Sequence, residues 1–430
     1  MLEASRYDQA EQDALLIFGN RVIQAFYPEI FASLGYPMRV SNNSELWRYL
    51  DVMHETRTQF NVENLLRGLT EHEFELFKKL TKLVDEHATK QFSRRAHASA
   101  AILRAIHVLR LIKIATGDDR PAVIEVGPGC GYLAALLVLE GYPYIGTEIA
   151  QAFYLQQSHM LSLVADNFIE LADHDGDITT LETPSPGTAI HIPWWKWVTM
   201  KPSEIKLSAG IMTSNHVLCE MHPSSMAYMA ALTSKILANH PGGGHFVFEN
   251  WGYDVLHGEK AVMDKFADYG FVLCHNEYTV SAMALAQNTK GWAVYNTPRM
   301  LAAPKPGMPG EPPQQTTRTR IARHLNKYPT LKRFLVKIIV FAAALLNKAR
   351  SFRLGSSGGS HISIVNAENR IPEFRSDNPL SKSLSKGLGD VQSKTVYQVE
   401  DVYSFLDKYF DGDVPAHEDE TFFELIGTRQ

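Results

Sequence analysis

Two groups of residues in this 430-residue chain have the types and spacing for chemistry. The first is Glu125-Val-Gly-Pro-Gly-Cys-Gly131, followed by Tyr132, an apolar stretch and a second acid at Glu148. Gly127, Gly129 and Gly131 let the backbone take positive φ and approach a ligand closely, and Glu148, ending Tyr144–Glu148, can accept both hydroxyls of a ribose. The second group is His216-Val-Leu-Cys-Glu220-Met-His222. A histidine near neutral pKa held by a carboxylate is a natural general base.

Glycine spacing discriminates between ligands. A dinucleotide turn wants G-x-G-x-x-G, with a helix N-terminus aimed at the pyrophosphate. Here the third glycine, Gly131, comes one residue early and Tyr132 stands where that pattern puts a glycine. Glu125, at the end of the first strand, would repel a pyrophosphate but suits the ammonium and sulfonium charges of S-adenosylmethionine. The pattern E-x-G-x-G-x-G plus a ribose-binding acid resembles motifs I and II of the class I methyltransferases. The implied cofactor is S-adenosylmethionine, held by Glu125, Gly127, Gly129, Gly131, Tyr132, Glu148 and Asn215. A dinucleotide or a purely structural turn are the alternatives.

Methyl transfer from a sulfonium is an in-line displacement, so the acceptor oxygen must be held near the methyl and lose its proton. In the methyltransferase fold, groups just past the fourth strand usually do this, which points to His216, Glu220 and His222. If a helix begins at His216, Glu220 falls on the same face one turn on. A histidine here could instead cap the helix, and Glu220 could pair with a Lys or Arg. The spacing H-x-x-x-E-x-H also permits a divalent cation but matches no tight metal signature, and no metal is assigned.

Trp194, Trp195 and Trp197 close an apolar strand, and each indole N–H needs a partner if buried. They are expected at a cleft mouth, stacking on sugar rings or adenine, with core packing for one of them. Trp251 would face the same rim, and Glu249 and Asn250 are candidate hydroxyl binders.

Glu125-Val-Gly-Pro-Gly-Cys-Gly-Tyr-Leu133, Gln151-Ala-Phe-Tyr-Leu-Gln-Gln-Ser-His159, His191-Ile-Pro-Trp-Trp-Lys-Trp197, Asn215-His-Val-Leu-Cys-Glu-Met-His-Pro223 and Phe248-Glu-Asn-Trp-Gly252 together resemble the sugar O-methyltransferases encoded among bacterial polysaccharide-synthesis genes. The likeness covers roughly residues 40–300. It implies methylation of a sugar hydroxyl in a cell-surface glycan or its precursor, which lipid linkage would place at the cytoplasmic face of a membrane. A small secondary metabolite as acceptor, and a non-catalytic binding module, are the rival readings.

The elements that must position these residues follow from periodicity. Residues 1–118 are expected to be largely helical, with a capping box at Thr70-Glu-His-Glu73 leading into Phe74, Phe77, Leu80 and Val84. A second helix over Ala98–Ile114 carries Ile102, Ile106 and Leu109. Residues 119–300 alternate strands and helices, predicting an α/β, Rossmann-like class I methyltransferase core with a mostly parallel, seven-stranded sheet. The strands are expected at Val123–Val126, Tyr144–Glu148, Thr188–Ile192, Ala209–Ser214, His245–Glu249, Phe271–His275 and, running antiparallel, Gly291–Tyr295.

Beyond a proline-rich linker at 301–317, the 318–354 segment holds many Lys and Arg and no acid, around the apolar run Phe334–Leu346. The run is too short to cross a bilayer, which needs about 20 apolar residues. A basic amphipathic helix on an anionic membrane surface is one reading, and packing on the catalytic domain is the other. Residues 355–396 read as a flexible linker, with Ile371–Lys394 loosely ordered, and 397–430 as an acidic helical segment that could dock back.

The net charge of −5, spread over an ordinary 45% hydrophobic and 21% charged composition, argues against wholesale nucleic-acid binding. Cys130, Cys219 and Cys274 form neither a disulfide framework nor a zinc motif. With no basic-then-apolar leader pattern at the N-terminus, a cytoplasmic setting is expected.

Overall fold

The sheet starts at its centre with β1 (Val123–Val126), which pairs in parallel with both β2 (Tyr144–Glu148) and β5 (Ile211–Thr213). These strands are buried almost throughout, as expected of parallel strands with helices on both faces. Outward from β2 lie β4 (Thr188–Pro193) and the edge strand β3 (Asn167–Glu170); outward from β5 lies β6 (His245–Glu249). β7 (Phe271–Asn276) and β8 (Val280–Leu285) form a hairpin whose second strand inserts antiparallel against β6. The order is β3-β4-β2-β1-β5-β6-β8-β7. This is the expected Rossmann-like methyltransferase sheet with one extra edge strand.

The computed structural model describes residues 2–19, 22, 25–26, 39–50, 68–172, 178, 181–215, 217–218, 221–249, 259–276, 280–285 and 379–411. All fall within one unit formed by Met1–Pro304 and Glu373–Phe422. Two strand expectations change. β3 is additional to the expected set, because an edge strand that pairs on one side needs little apolar patterning, and Asn167 is exposed. The reversed strand is Val280–Leu285, whereas 291–295 lies outside the described residues.

The N-terminal region supplies α1 (Ala4–Leu15), a 3₁₀ helix (Asn43–Tyr49), α2 (Glu71–Phe92) and α3 (Ser99–Thr116). The predicted capping box starts α2: Glu73 N donates to Thr70 Oγ1 at 3.3 Å, and Thr70 N donates to Glu73 Oε2 at 2.8 Å. The same carboxylate receives Arg110 of α3 at 2.7 and 2.8 Å, in a buried pair. Removing one partner of such a pair costs about 3–5 kcal/mol, so this contact locks α2 to α3.

Three further helices frame the site: α4 (Tyr132–Leu139), which is buried nearly all round, α5 (Gln151–Val164) and the short α6 (Trp194–Trp197). α7 (Pro223–Ala238) and α8 (Glu259–Ala267) follow β5 and β6.

The expectation of loose order over Ile371–Lys394 is corrected from Pro379 onward. α9 (Pro379–Gln392) packs on α3, burying Leu380 and Leu384, and a Cβ on Gly387 would collide with Ile114. A few leucines one turn apart suffice once a neighbouring helix supplies the other half of the contact. α10 (Val399–Tyr409) docks on α2, with Val402 and Leu406 buried and Phe405 edge-on to Phe77, ring centroids 6.0 Å apart. Tyr397 forms a backbone bridge with Leu69 and stacks on Phe74, ring centroids 4.3 Å apart, while Tyr409 donates to Asp85 at 3.1 Å. Among the described residues no helix is long and apolar enough to cross a membrane, and the 301–317 and 318–354 segments lie outside them.

Candidate functional site

In a doubly wound sheet, ligands bind beyond the carboxyl ends of the strands where the order reverses, here between the ends of β1, β2 and β5. Gly127, Gly129 and Gly131 all have positive φ, at 71°, 58° and 81°. A Cβ on Gly127 would lie 2.8 Å from Val217, so the glycine turn is backed against the loop after β5. A Cβ on Gly131 would come within 3.0 Å of Gln157, whereas one on Gly129 would meet no atom within 4 Å among the described residues. Gly129 is therefore the point of the turn where a ligand can approach.

Glu148 braces that turn. Its Oε1 accepts the backbone N–H groups of Ile149 and Ala150 at 2.8 and 3.0 Å, and its Oε2 accepts Gly129 N at 3.2 Å and Gln157 Nε2 at 3.3 Å. The two long bonds are on the oxygen facing the turn, where ribose hydroxyls would compete best. Burial raises its pKa, although these four donors pull the other way.

Beneath the turn, Glu125 is buried and accepts Tyr144 Oη at 2.9 Å and Asn215 Nδ2 at 3.2 Å. No cationic side chain pairs with it among the described residues. Burial pushes its pKa up to about 7, with the nearby Glu148 adding to the rise and the two hydrogen bonds opposing it. Tyr144 reaches Glu125 because Gly146, two residues on along the same face, has no side chain: a Cβ there would lie 2.8 Å from the phenol oxygen.

A buried polar chain behind Glu148 goes beyond the candidates read from the sequence. Gln157 Nε2 donates to Gly129 O at 2.7 Å, and its Oε1 meets His191 Nε2 at 2.9 Å. His191 Nδ1 lies 3.0 Å from Ser158 Oγ, which donates to Glu170 Oε2 at 2.5 Å; Tyr154 donates to the other Glu170 oxygen. Burial alone would raise the Glu170 pKa, but His191, Ser158 and Tyr154 hold it below its ordinary value. The signal for it lies in Gln151–His159, a helical stretch in which uncharged polar residues are interspersed with Ala152, Phe153 and Leu155 with no solvent-facing pattern, and every residue of it is buried.

Three solved structures similar to the chain are the magnesium protoporphyrin IX methyltransferase ChlM of Synechocystis PCC 6803, the pyocyanin biosynthetic protein PhzM and the N-methyltransferase NodS of Bradyrhizobium japonicum WM9. ChlM, with bound S-adenosylmethionine, shares 12% identity over 49% of this chain and 97% of its own, at a TM-score of 0.27. PhzM shares 11% over 50% and 70%, and NodS 8% over 44% and 98%, each at a TM-score of 0.29. No family model matches the chain, and no curated protein does. The strand order, rather than these likenesses, carries the fold class.

The structure thus brings Glu125, Gly127, Gly129, Gly131, Glu148 and Asn215 together. Tyr132 begins α4, buried, with its hydroxyl donating to the Leu50 carbonyl, which anchors the N-terminal region. His222 takes the capping role: its Nδ1 accepts Ser224 N at 3.2 Å at the start of α7. His216, Glu220, Asn250 and Trp251 lie outside the described residues; Glu249 ends β6, with its side chain outside them.

The expected solvent-facing tryptophan platform is corrected: Trp194, Trp195 and Trp197 are all buried. The partner that makes this possible comes from far away in sequence, as Trp194 Nε1 donates to Glu11 of α1 at 2.7 Å. Arg39 pairs with the same carboxylate and with Asp8 at 2.6 Å, and Asp8 also accepts Gln151 Nε2 at 2.9 Å. α1 is thereby fastened across α6 and the start of α5.

Proposed function

We propose that this chain is an S-adenosylmethionine-dependent O-methyltransferase whose acceptor is a sugar hydroxyl. The observation that carries the cofactor reading is Glu125, a buried carboxylate under a glycine turn with no cationic partner among the described residues. Such a group stabilises a bound cation and disfavours the pyrophosphate of a dinucleotide. Glu148 fits the ribose, and the open face at Gly129 fits a close backbone approach. Bound here, the cofactor would supply an electrophilic methyl group on a positively charged sulfur.

Within this reading the chain holds the acceptor hydroxyl in line with that methyl and takes its proton. His216 and Glu220 are the candidates for the base, since His222 Nδ1 is engaged in capping α7. The sugar acceptor is supported by the motif resemblance over roughly residues 40–300, including N-H-V-L-C-E-M-H-P, and no longer by a tryptophan platform. Lipid linkage of that sugar, with 318–354 resting on an anionic membrane, is the accompanying proposal.

Calorimetric titration with S-adenosylmethionine, S-adenosylhomocysteine and NADH tests the base of this reading. Micromolar binding of the first two, weakened in Glu148→Ala, supports it; binding of NADH alone would overturn it. Sugar against phenolic acceptors then separates the two methyltransferase readings. Replacing His216 and Glu220 with alanine should abolish transfer while cofactor affinity stays, which a mere binding module would not show.

A further inference from the structure

Tyr7, on α1, is wholly buried, and its hydroxyl has no hydrogen-bond partner among the described residues. Its ring lies edge-on to Trp195 at 4.9 Å and tilted against Tyr154 at 5.0 Å, at the corner where β4 turns into α6. That corner adjoins the candidate ribose carboxylate, because Pro193, the residue before α6, is the register partner of Glu148. Buried phenols normally find a partner, and leaving one unmade costs about 1–3 kcal/mol. The Tyr7 hydroxyl lies within the electrostatic reach of Glu11 and Arg39, and then of Glu148 and Glu170.

We infer that Tyr7 completes the cofactor site from the N-terminal helix, its hydroxyl donating a hydrogen bond to the adenosyl part of the bound ligand. This rests on the cofactor reading above. Purine nitrogens and ribose oxygens are acceptors of the kind an unpaired phenol needs. The contacts of Glu11 with Trp194 and Arg39, and of Asp8 with Gln151, hold α1 where the hydroxyl is presented.

The test is Tyr7→Phe in the full chain, with thermal melting and calorimetric titration of S-adenosylhomocysteine. The variant should melt at the same temperature as the parent or higher, since an unpaired buried hydroxyl is removed, yet bind five- to twentyfold more weakly. Unchanged affinity in a variant of unchanged stability would overturn the inference while leaving the cofactor reading intact. Failure of the parent chain to bind would overturn both. Should Tyr7→Phe melt lower, Tyr7→Trp gives a second reading, and parental affinity in both would refute the role.

Discussion

Gln157 donates to the carbonyl of Gly129 at 2.7 Å, joining the middle of α5 to the tip of the glycine turn. The same amide touches Glu148, and its oxygen meets the buried His191, so one side chain ties the turn, Glu148 and β4 together. A glycine turn is conformationally permissive and gains a single shape only from such outside contacts.

Gln157→Leu should therefore keep the fold but loosen the turn. The expected effect is about tenfold weaker S-adenosylmethionine binding, equivalent to about 1.4 kcal/mol, measured by calorimetry. Unchanged affinity would mean that the turn is held without it.

Glu125 predicts a pH dependence with a definite sign. With its pKa near 7, the carboxyl is half protonated at neutrality, and a cationic ligand selects the ionised form. S-adenosylmethionine affinity should fall as pH drops below 7, by up to about tenfold per unit, and Glu125→Gln should flatten the profile while weakening binding at pH 8. For the ligand-free chain the sign reverses: a raised carboxyl pKa contributes stability below the unfolded value of about 4.5 that is lost as pH rises through 7. A flat affinity profile for the parent chain between pH 8 and 5.5 would count against the cation pocket.

His159 works in the opposite direction. Burial, with His87 close by, lowers its pKa to about 4, so folding favours the neutral ring. Its contribution is present above the unfolded value of about 6.5 and is lost as pH falls from there towards 4, by on the order of 3 kcal/mol. Urea unfolding of His159→Gln and the parent at pH 7.5 and 5 should show their difference shrinking, or changing sign, at the lower pH.

Gly387 allows α9 to lie close on α3. Gly387→Ala gains helix propensity but places a methyl group against the stiff, β-branched Ile114, and should destabilise by about 1–2 kcal/mol net. Adding Ile114→Ala should recover part of that loss, giving a favourable coupling in a double-mutant cycle. Additive effects would show that α9 does not make this contact in solution.

The geometry of the glycine turn is legible in the sequence alone, because a glycine turn and two strand-end acids are local features whose spacing is itself the geometry. Glu125, Gly127, Gly129, Gly131 and Glu148 fall where the strand–turn–helix–strand pattern puts them. The capping box at Thr70 is equally readable, since all its atoms lie within one turn of helix. What tertiary structure alone decides is every contact whose partner is distant in the chain. Trp194 reads as exposed because its indole needs an acceptor that the neighbouring sequence lacks, and Glu11, on a helix at the other end of the core, supplies it. The polar residues within Gln151–His159 take on a role only with His191 and Glu170 beside them, and α9 cannot be told from a linker without α3 to cover its leucines. Local spacing encodes local geometry; burial of a polar or sparsely apolar segment depends on what packs against it, which only the folded chain determines.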